Sequence, residues 1–211
     1  ATVGEISDAL EKVYGRHQAE IRTISGVYRD EAGKSDNITR ATTLVEQFAD
    51  IARREYRATG IHQALSPMAD LATEPRWSRI NGTFGEDTEQ VSRLAGAYVR
   101  GFQHCDRGLA RDGVSTVVKH WVGYGASDGG FDGHSFYGRY ATLRPAALRR
   151  HADAFRGAFA AGATGVMPTY AILKTGKPGD RRFPAVGAAF NRYLLNDLLR
   201  ASGVEAPRIA V

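Results

Sequence analysis

The chain is nearly without cysteine. Cys105 is the only one among 211 residues, so no internal disulfide can staple the fold, and the compartment stays open because periplasmic and cytosolic proteins both occur without bridges. There is no apolar run near the roughly 20 residues that a membrane-spanning helix needs. There is also no long block of one charge. The formal net charge of +5 comes from scattered arginines such as Arg53, Arg54, Arg149, Arg150, Arg181 and Arg182. Without a continuous basic face, nucleic acid is not an expected partner. Fixed-period repeats and low-complexity tracts are missing too, which excludes solenoids and disordered arrays. Ala1 opens the sequence with neither a methionine nor a charged and apolar leader pattern, so the expected location is periplasmic or secreted if a leader was removed, and cytoplasmic otherwise.

What is present is ordinary globular material, with 43% hydrophobic and 24% charged residues, enough for one buried core. Helical and strand periods alternate, which argues for βα units and a parallel sheet. A helix is expected from Ile38 to Thr59, with Leu44, Phe48, Ile51 and Ala52 on its buried stripe and Gly60 as its stop. Ile61 to Leu65 reads as a strand. Thr88 to Gln103 reads as an amphipathic helix carrying Val91, Leu94, Ala95, Tyr98 and Phe102 inward. Val114 to Lys119 is the next strand, and the glycine-punctuated stretch from Gly123 to Gly138 is a long loop. A helix over Pro145–Ala161, a strand over Gly165–Met167, a helix over Phe190–Arg200 and a strand over Arg208–Val211 complete the reading. A helix near Glu5–Tyr14 and a strand near Ile21–Val27 are expected in the less regular first 37 residues.

Chemistry-bearing residues gather at the ends of these strands, where parallel α/β folds present ligands. Asp70 follows the Ile61–Leu65 strand, and an anionic acceptor can grip two hydroxyls by charge-assisted hydrogen bonds. Pro75-Arg76-Trp77-Ser78-Arg79 sets a guanidinium on each side of an indole. Glu86 and Asp87 stand at the first turn of a helix, where acids complement its dipole. Lys119 and His120 end an apolar strand and offer a fixed positive donor and an adaptable imidazole. Met167-Pro168-Thr169-Tyr170 ends the next strand. Asp128, Asp132 and His134 lie in the glycine-rich loop, but their spacing fits no metal motif. Neither a metal nor a cofactor is expected.

The segment IHQALSPMADLATEPRWSRINGTFGEDTEQVSRLAGAYVRGFQ, continued by VVKHWVGYG, resembles family 3 of the glycoside hydrolases, over roughly Arg40 to Arg200. That resemblance implies an α/β fold, a partial or shortened (β/α) TIM-like barrel of parallel strands with outer helices. It implies one domain over residues 1–211, incomplete as a barrel and with residues 1–37 as a divergent or shortened portion. A closed barrel usually takes about 250 residues. By the same resemblance Asp70 accepts hydrogen bonds from sugar hydroxyls, Arg76 contacts the sugar or braces the acidic residues, Lys119 and His120 donate to the sugar, and Met167 and Tyr170 line the site. The implied partner is a β-glucoside or an oligosaccharide, and the implied activity is exo-acting β-glucosidase-type hydrolysis.

Retaining glycoside hydrolysis needs a nucleophilic and an acid/base carboxylate about 5 to 5.5 Å apart. In the family the nucleophile lies in a short Ser/Thr-Asp-Trp motif after a later strand, and the sequence shows no such motif, so no catalytic residue is assigned. Three readings follow from this: part of an exo-β-glycosidase, a carbohydrate-binding relic without turnover, or a scaffold for subunit contacts. Some five parallel strands leave open sheet edges, so the chain is expected to pair with a second copy or with a complementary polypeptide. Such pairing should bury more than about 1,000 Å². Light scattering at micromolar concentration checks it, since a stable monomer would contradict the expectation.

Overall fold

A computed structural model of the chain describes residues 34–175, 177 and 179–203. The expected helix near Glu5–Tyr14 and the strands near Ile21–Val27 and Arg208–Val211 lie outside these residues. Three parallel strands form the main sheet in the order β1 (Gln63–Ala64), β2 (Ser115–Trp121), β4 (Gly165–Pro168). A second parallel pair joins β3 (Tyr140–Thr142) to β5 (Ile172–Lys174). The helices are α1 (Lys34–Ala58), α2 (Thr88–Gln103), α3 (Pro145–Asp153), α4 (Arg156–Ala160) and a closing π-to-α segment, Tyr193–Leu198 followed by α5 (Leu199–Ala201). The result is an α/β fold of parallel strands and outer helices, only part of a barrel.

Sequence period and observed element agree most closely at α2. Its N-terminus is capped by Asp87, whose carboxylate accepts from the Gln90 N–H at 2.8 Å, which satisfies one of the unpaired donors of the first turn. Val91, Leu94, Ala95 and Phe102 are buried along it. The helix ends at His104, which takes the left-handed conformation.

The buried stripe of α1 differs from the expected one. Ala41, Val45, Ala49 and Ala52 face inward, at 0 to 4% exposure, whereas Leu44 and Ile51 are 36% and 46% exposed. Small residues win here because α1 lies close against α2: a Cβ on Gly101 would stand 2.4 Å from the Glu46 carbonyl oxygen and 2.6 Å from the Ala49 methyl. Leucine and isoleucine do not fit such a seam. Arg53, also buried, is neutralised by Asp50 at 2.7 Å and reaches the Asp112 carbonyl at 2.9 Å.

Other expectations shift in detail. The single helix over Pro145–Ala161 is two, broken at Ala154 and Phe155, where Phe155 turns into the core against Trp121 at a ring separation of 5.2 Å. The strand over Ile61–Leu65 shortens to two residues, and the helix over Phe190–Arg200 begins at Tyr193. Strands β3 and β5 were not anticipated, since three residues each carry too little alternation to register.

Gln103 fastens these layers together. Its amide donates to the Gly108 and Gly162 carbonyls, the latter at 2.9 Å, and its oxygen accepts from the Thr116 hydroxyl at 2.7 Å, the Thr116 N–H at 3.3 Å and the Thr164 N–H at 3.2 Å. One fully buried side chain thus joins the end of α2 to β2 and to the turn before β4. Gln103→Leu keeps the volume but orphans three donors and two carbonyls, and should cost about 2–4 kcal/mol in chemical denaturation. A loss under about 0.5 kcal/mol would contradict this account.

Candidate functional site

The site begins where β1 ends. After the cis peptide between Ser66 and Pro67, the chain keeps running beside β2: the Lys119 N–H donates to the Pro67 carbonyl at 2.9 Å, and the Ala69 N–H donates to the Lys119 carbonyl at 2.7 Å. This pairing delivers Asp70 to the end of β2. There Asp70, 2% exposed, accepts through Oδ2 from the His120 backbone N–H at 3.1 Å and pairs with His120 Nδ1 at 2.8 Å. A carboxylate only accepts, so Nδ1 carries a proton in this pair. Oδ1 of Asp70 is buried and has no partner among the described residues. The Lys119–His120 and Trp121–Val122 peptides are also cis.

Lys119 stands beside this pair, half-buried and in register with Met167 on β4. Burial pulls its pKa below the usual lysine value, the nearby Arg79 guanidinium pulls it down further, and the Asp70 charge opposes both. Arg79 also lies over the Tyr124 ring, 5.6 Å from its centre. Tyr124 is the aromatic hub of the site: its ring meets Trp77 at 4.8 Å and His120 at 5.1 Å. Its hydroxyl donates to Asp132 at 3.1 Å and accepts from the Gly133 N–H at 2.9 Å. Burial of the Asp132 carboxyl acts to raise its pKa, but the His134 backbone N–H, the His134 ring and the Tyr124 hydroxyl outweigh it and hold the group low.

The six residues that the sequence singled out are not all gathered. Asp70, Lys119, His120 and Met167 come together at the strand ends. Tyr170 stands outside them, 65% exposed, with its ring edge on His134 at 5.1 Å. Arg76 is turned to solvent and locked to Glu74 by two hydrogen bonds of 2.8 and 2.9 Å, with its guanidinium holding Glu74 down at about 2. The arginine whose charge acts on Lys119 is Arg79, on the other side of the buried Trp77. In the sequence, the two arginines of PRWSR carry equal weight, and only burial of the indole between them decides which one turns inward. Tyr124 was legible only as part of a glycine-rich loop.

That loop is pressed against the Asp70 segment. The Gly125 carbonyl accepts from the Thr73 and Glu74 N–H groups at 3.1 and 2.9 Å, and a Cβ at Gly125 would stand 2.1 Å from the Leu71 carbonyl oxygen. Among the described residues no group of three or more histidine, cysteine or acidic side chains could hold a metal ion, and no helix is long and apolar enough to cross a membrane.

Residues 33–203 match the model of the glycosyl hydrolase family 3 N-terminal domain. The chain belongs to this family. A periplasmic β-glucosidase/β-xylosidase of Dickeya chrysanthemi is 55% identical over 157 residues, which is 74% of this chain and 24% of that protein. The crystal structure of a mutant β-glucosidase from Listeria innocua in complex with laminaribiose superposes with a TM-score of 0.61 at 29% identity, covering 79% of this chain and 22% of that one. The chain therefore spans about a quarter of the length of these family 3 relatives. A separate similarity reaches another kind of protein: 57 residues, 27% of the chain, are 74% identical to a probable methylmalonyl-CoA mutase large subunit of Mycobacterium tuberculosis and cover 8% of it. The flanks outside the family 3 match are shorter than 57 residues, so this stretch runs into the matched range.

The charge arrangement around Lys119 can be tested directly. Arg79→Met should move the Lys119 pKa up toward its ordinary 10.5, and Asp70→Asn should move it further down, read from the side-chain amine resonance in an NMR titration. Shifts of the opposite sign would contradict the geometry.

Proposed function

We propose that this chain is the sugar-holding part of a family 3 glycosidase acting on β-linked glucosides. The observation that carries the reading is the bare Oδ1 of Asp70. A buried carboxylate oxygen without a partner is costly unless a donor meets it, and a sugar hydroxyl is a donor of the right size. Oδ2, already occupied by His120, fixes the direction in which Oδ1 is presented.

In this reading Asp70 accepts from one or two hydroxyls of a terminal glucosyl residue, and Lys119 and His120 donate to its oxygens. Met167 lines the floor beside Lys119, and Tyr170 stands at the rim. Arg76 serves at a distance, by bracing the loop through Glu74, while Arg79 supplies the inward positive charge. The chemistry at the glycosidic bond needs a carboxylate pair, for which none of these residues is proposed. Laminaribiose, bound by the Listeria innocua relative, and related β-linked glucosides are the substrate class we favour.

Asp70→Ala should weaken glucose binding at least about tenfold, or ~1.4 kcal/mol, measured by isothermal titration calorimetry with circular dichroism as the check on folding. Lys119→Met should weaken it in the same direction. A folded Asp70→Ala protein with unchanged affinity would overturn the proposal.

A further inference from the structure

His151 is a buried polar side chain that is only half satisfied. It lies on α3 at 2% exposure, flanked along the helix by Leu148 and Ala152 of the main core. Its Nε2 meets the Thr73 hydroxyl at 3.1 Å, while its Nδ1 is buried with no partner among the described residues. A position that needed only filling would be apolar, because a bare ring nitrogen in the core carries a desolvation cost that a leucine does not. The ring is held there for what Nε2 does.

Burial keeps this imidazole neutral at ordinary pH, with its pKa pushed down to about 4, and the Arg150 charge adds to the effect. A neutral ring has one proton to place. Thr73 Oγ1 also lies 3.3 Å from the Gly125 carbonyl, which can only accept, so the hydroxyl proton goes either to Gly125 or to Nε2. In the second case the ring proton would sit on Nδ1 as a buried donor without an acceptor. Orphaned donors are rarer than under-used acceptors, which puts the ring proton on Nε2. The bonds then run one way, from Nε2–H to the Thr73 hydroxyl and from that hydroxyl to Gly125.

This relay closes one side of the Asp70 segment. Before Asp70, the Ala69 N–H donates to the Lys119 carbonyl at 2.7 Å; after it, the Thr73 N–H donates to the Gly125 carbonyl at 3.1 Å. Gly125 directly follows Tyr124, whose ring meets His120 at 5.1 Å. We propose that His151 is a positioning residue: through Thr73 it clamps the Asp70 segment to the glycine-rich loop, and so fixes the Asp70–His120 pair from α3 without touching a ligand itself. The proposal rests on the glucoside reading only for what that pair binds.

Nuclear magnetic resonance on the whole chain, without ligand, tests the clamp. The nitrogen resonances of His151 should show a protonated Nε2 and a bare Nδ1, and the reverse tautomer would overturn the relay. His151→Leu fills the space without the bond, whereas His151→Gln restores a terminal N–H donor near the place of Nε2. In the leucine variant, solvent exchange of the His120 Nδ1 proton should rise at least about tenfold relative to the amide of buried Val99 in α2, and in the glutamine variant by less than about threefold. Thr73→Val, altered at an exposed side chain, should repeat the leucine effect even if the leucine variant folds poorly. Equal acceleration of both protons in His151→Leu, or no change in Thr73→Val, would reduce His151 to a core-filling residue and overturn the proposal. Glucose calorimetry tests the other reading: His151→Leu should weaken binding about three- to tenfold and His151→Gln less than about twofold. If wild-type protein does not bind glucose, the glucoside reading fails, while the exchange ratio still decides the role of His151.

Discussion

The contact on which the site depends is the bond from Asp70 to His120. It joins the segment after β1 to the last residues of β2, and both of its donors, a backbone N–H and a ring nitrogen, come from the same residue. Two bonds from one partner leave a carboxylate little freedom to rotate. One oxygen is consumed in fixing the other, and the fixed one is a buried acceptor. Preorganisation of this kind lowers the entropy that a ligand must give up on binding.

Around that pair the protein arranges charge by distance rather than by contact. Among the described residues no short salt bridge pairs off Lys119: its pKa falls through burial and through Arg79, against the pull of Asp70. The titration of a half-buried amine between a cation and a carboxylate is sensitive to any charge brought near it. Arg76, by comparison, spends its charge on Glu74 at the surface, where an exposed pair contributes little to stability. The two arginines of one short motif thus perform different tasks, separated by a buried indole.

The loop from Gly123 to Gly138 gives the site its outer wall. Close backbone contacts force its glycines, and Tyr124 ties its middle to Asp132 and its base to Trp77 and His120. Rigid aromatic and hydrogen-bonded ties of this sort let a segment without regular secondary structure hold side chains in place.

By itself, the sequence determined the parallel α/β class, the span of α2, the Asp87 cap and the assembly of Asp70, Lys119 and His120 at strand ends. All of these depend on local periods or on short-range spacing, which survive in one dimension. The family 3 resemblance was legible for the same reason, since its residues lie in two nearly contiguous segments. Tertiary structure decided the rest. The buried stripe of α1 moved from Leu44 and Ile51 to Ala41, Val45 and Ala49 because the neighbouring helix lies too close for large side chains. Arg79 rather than Arg76 faces Lys119 because Trp77 is buried between them. Gln103, an amide at a helix end, is the joint between layers because Thr116 on β2 and the Gly162–Thr164 turn bring their polar groups to it. Such outcomes are fixed by what packs against a residue from far along the chain, and no local pattern records that.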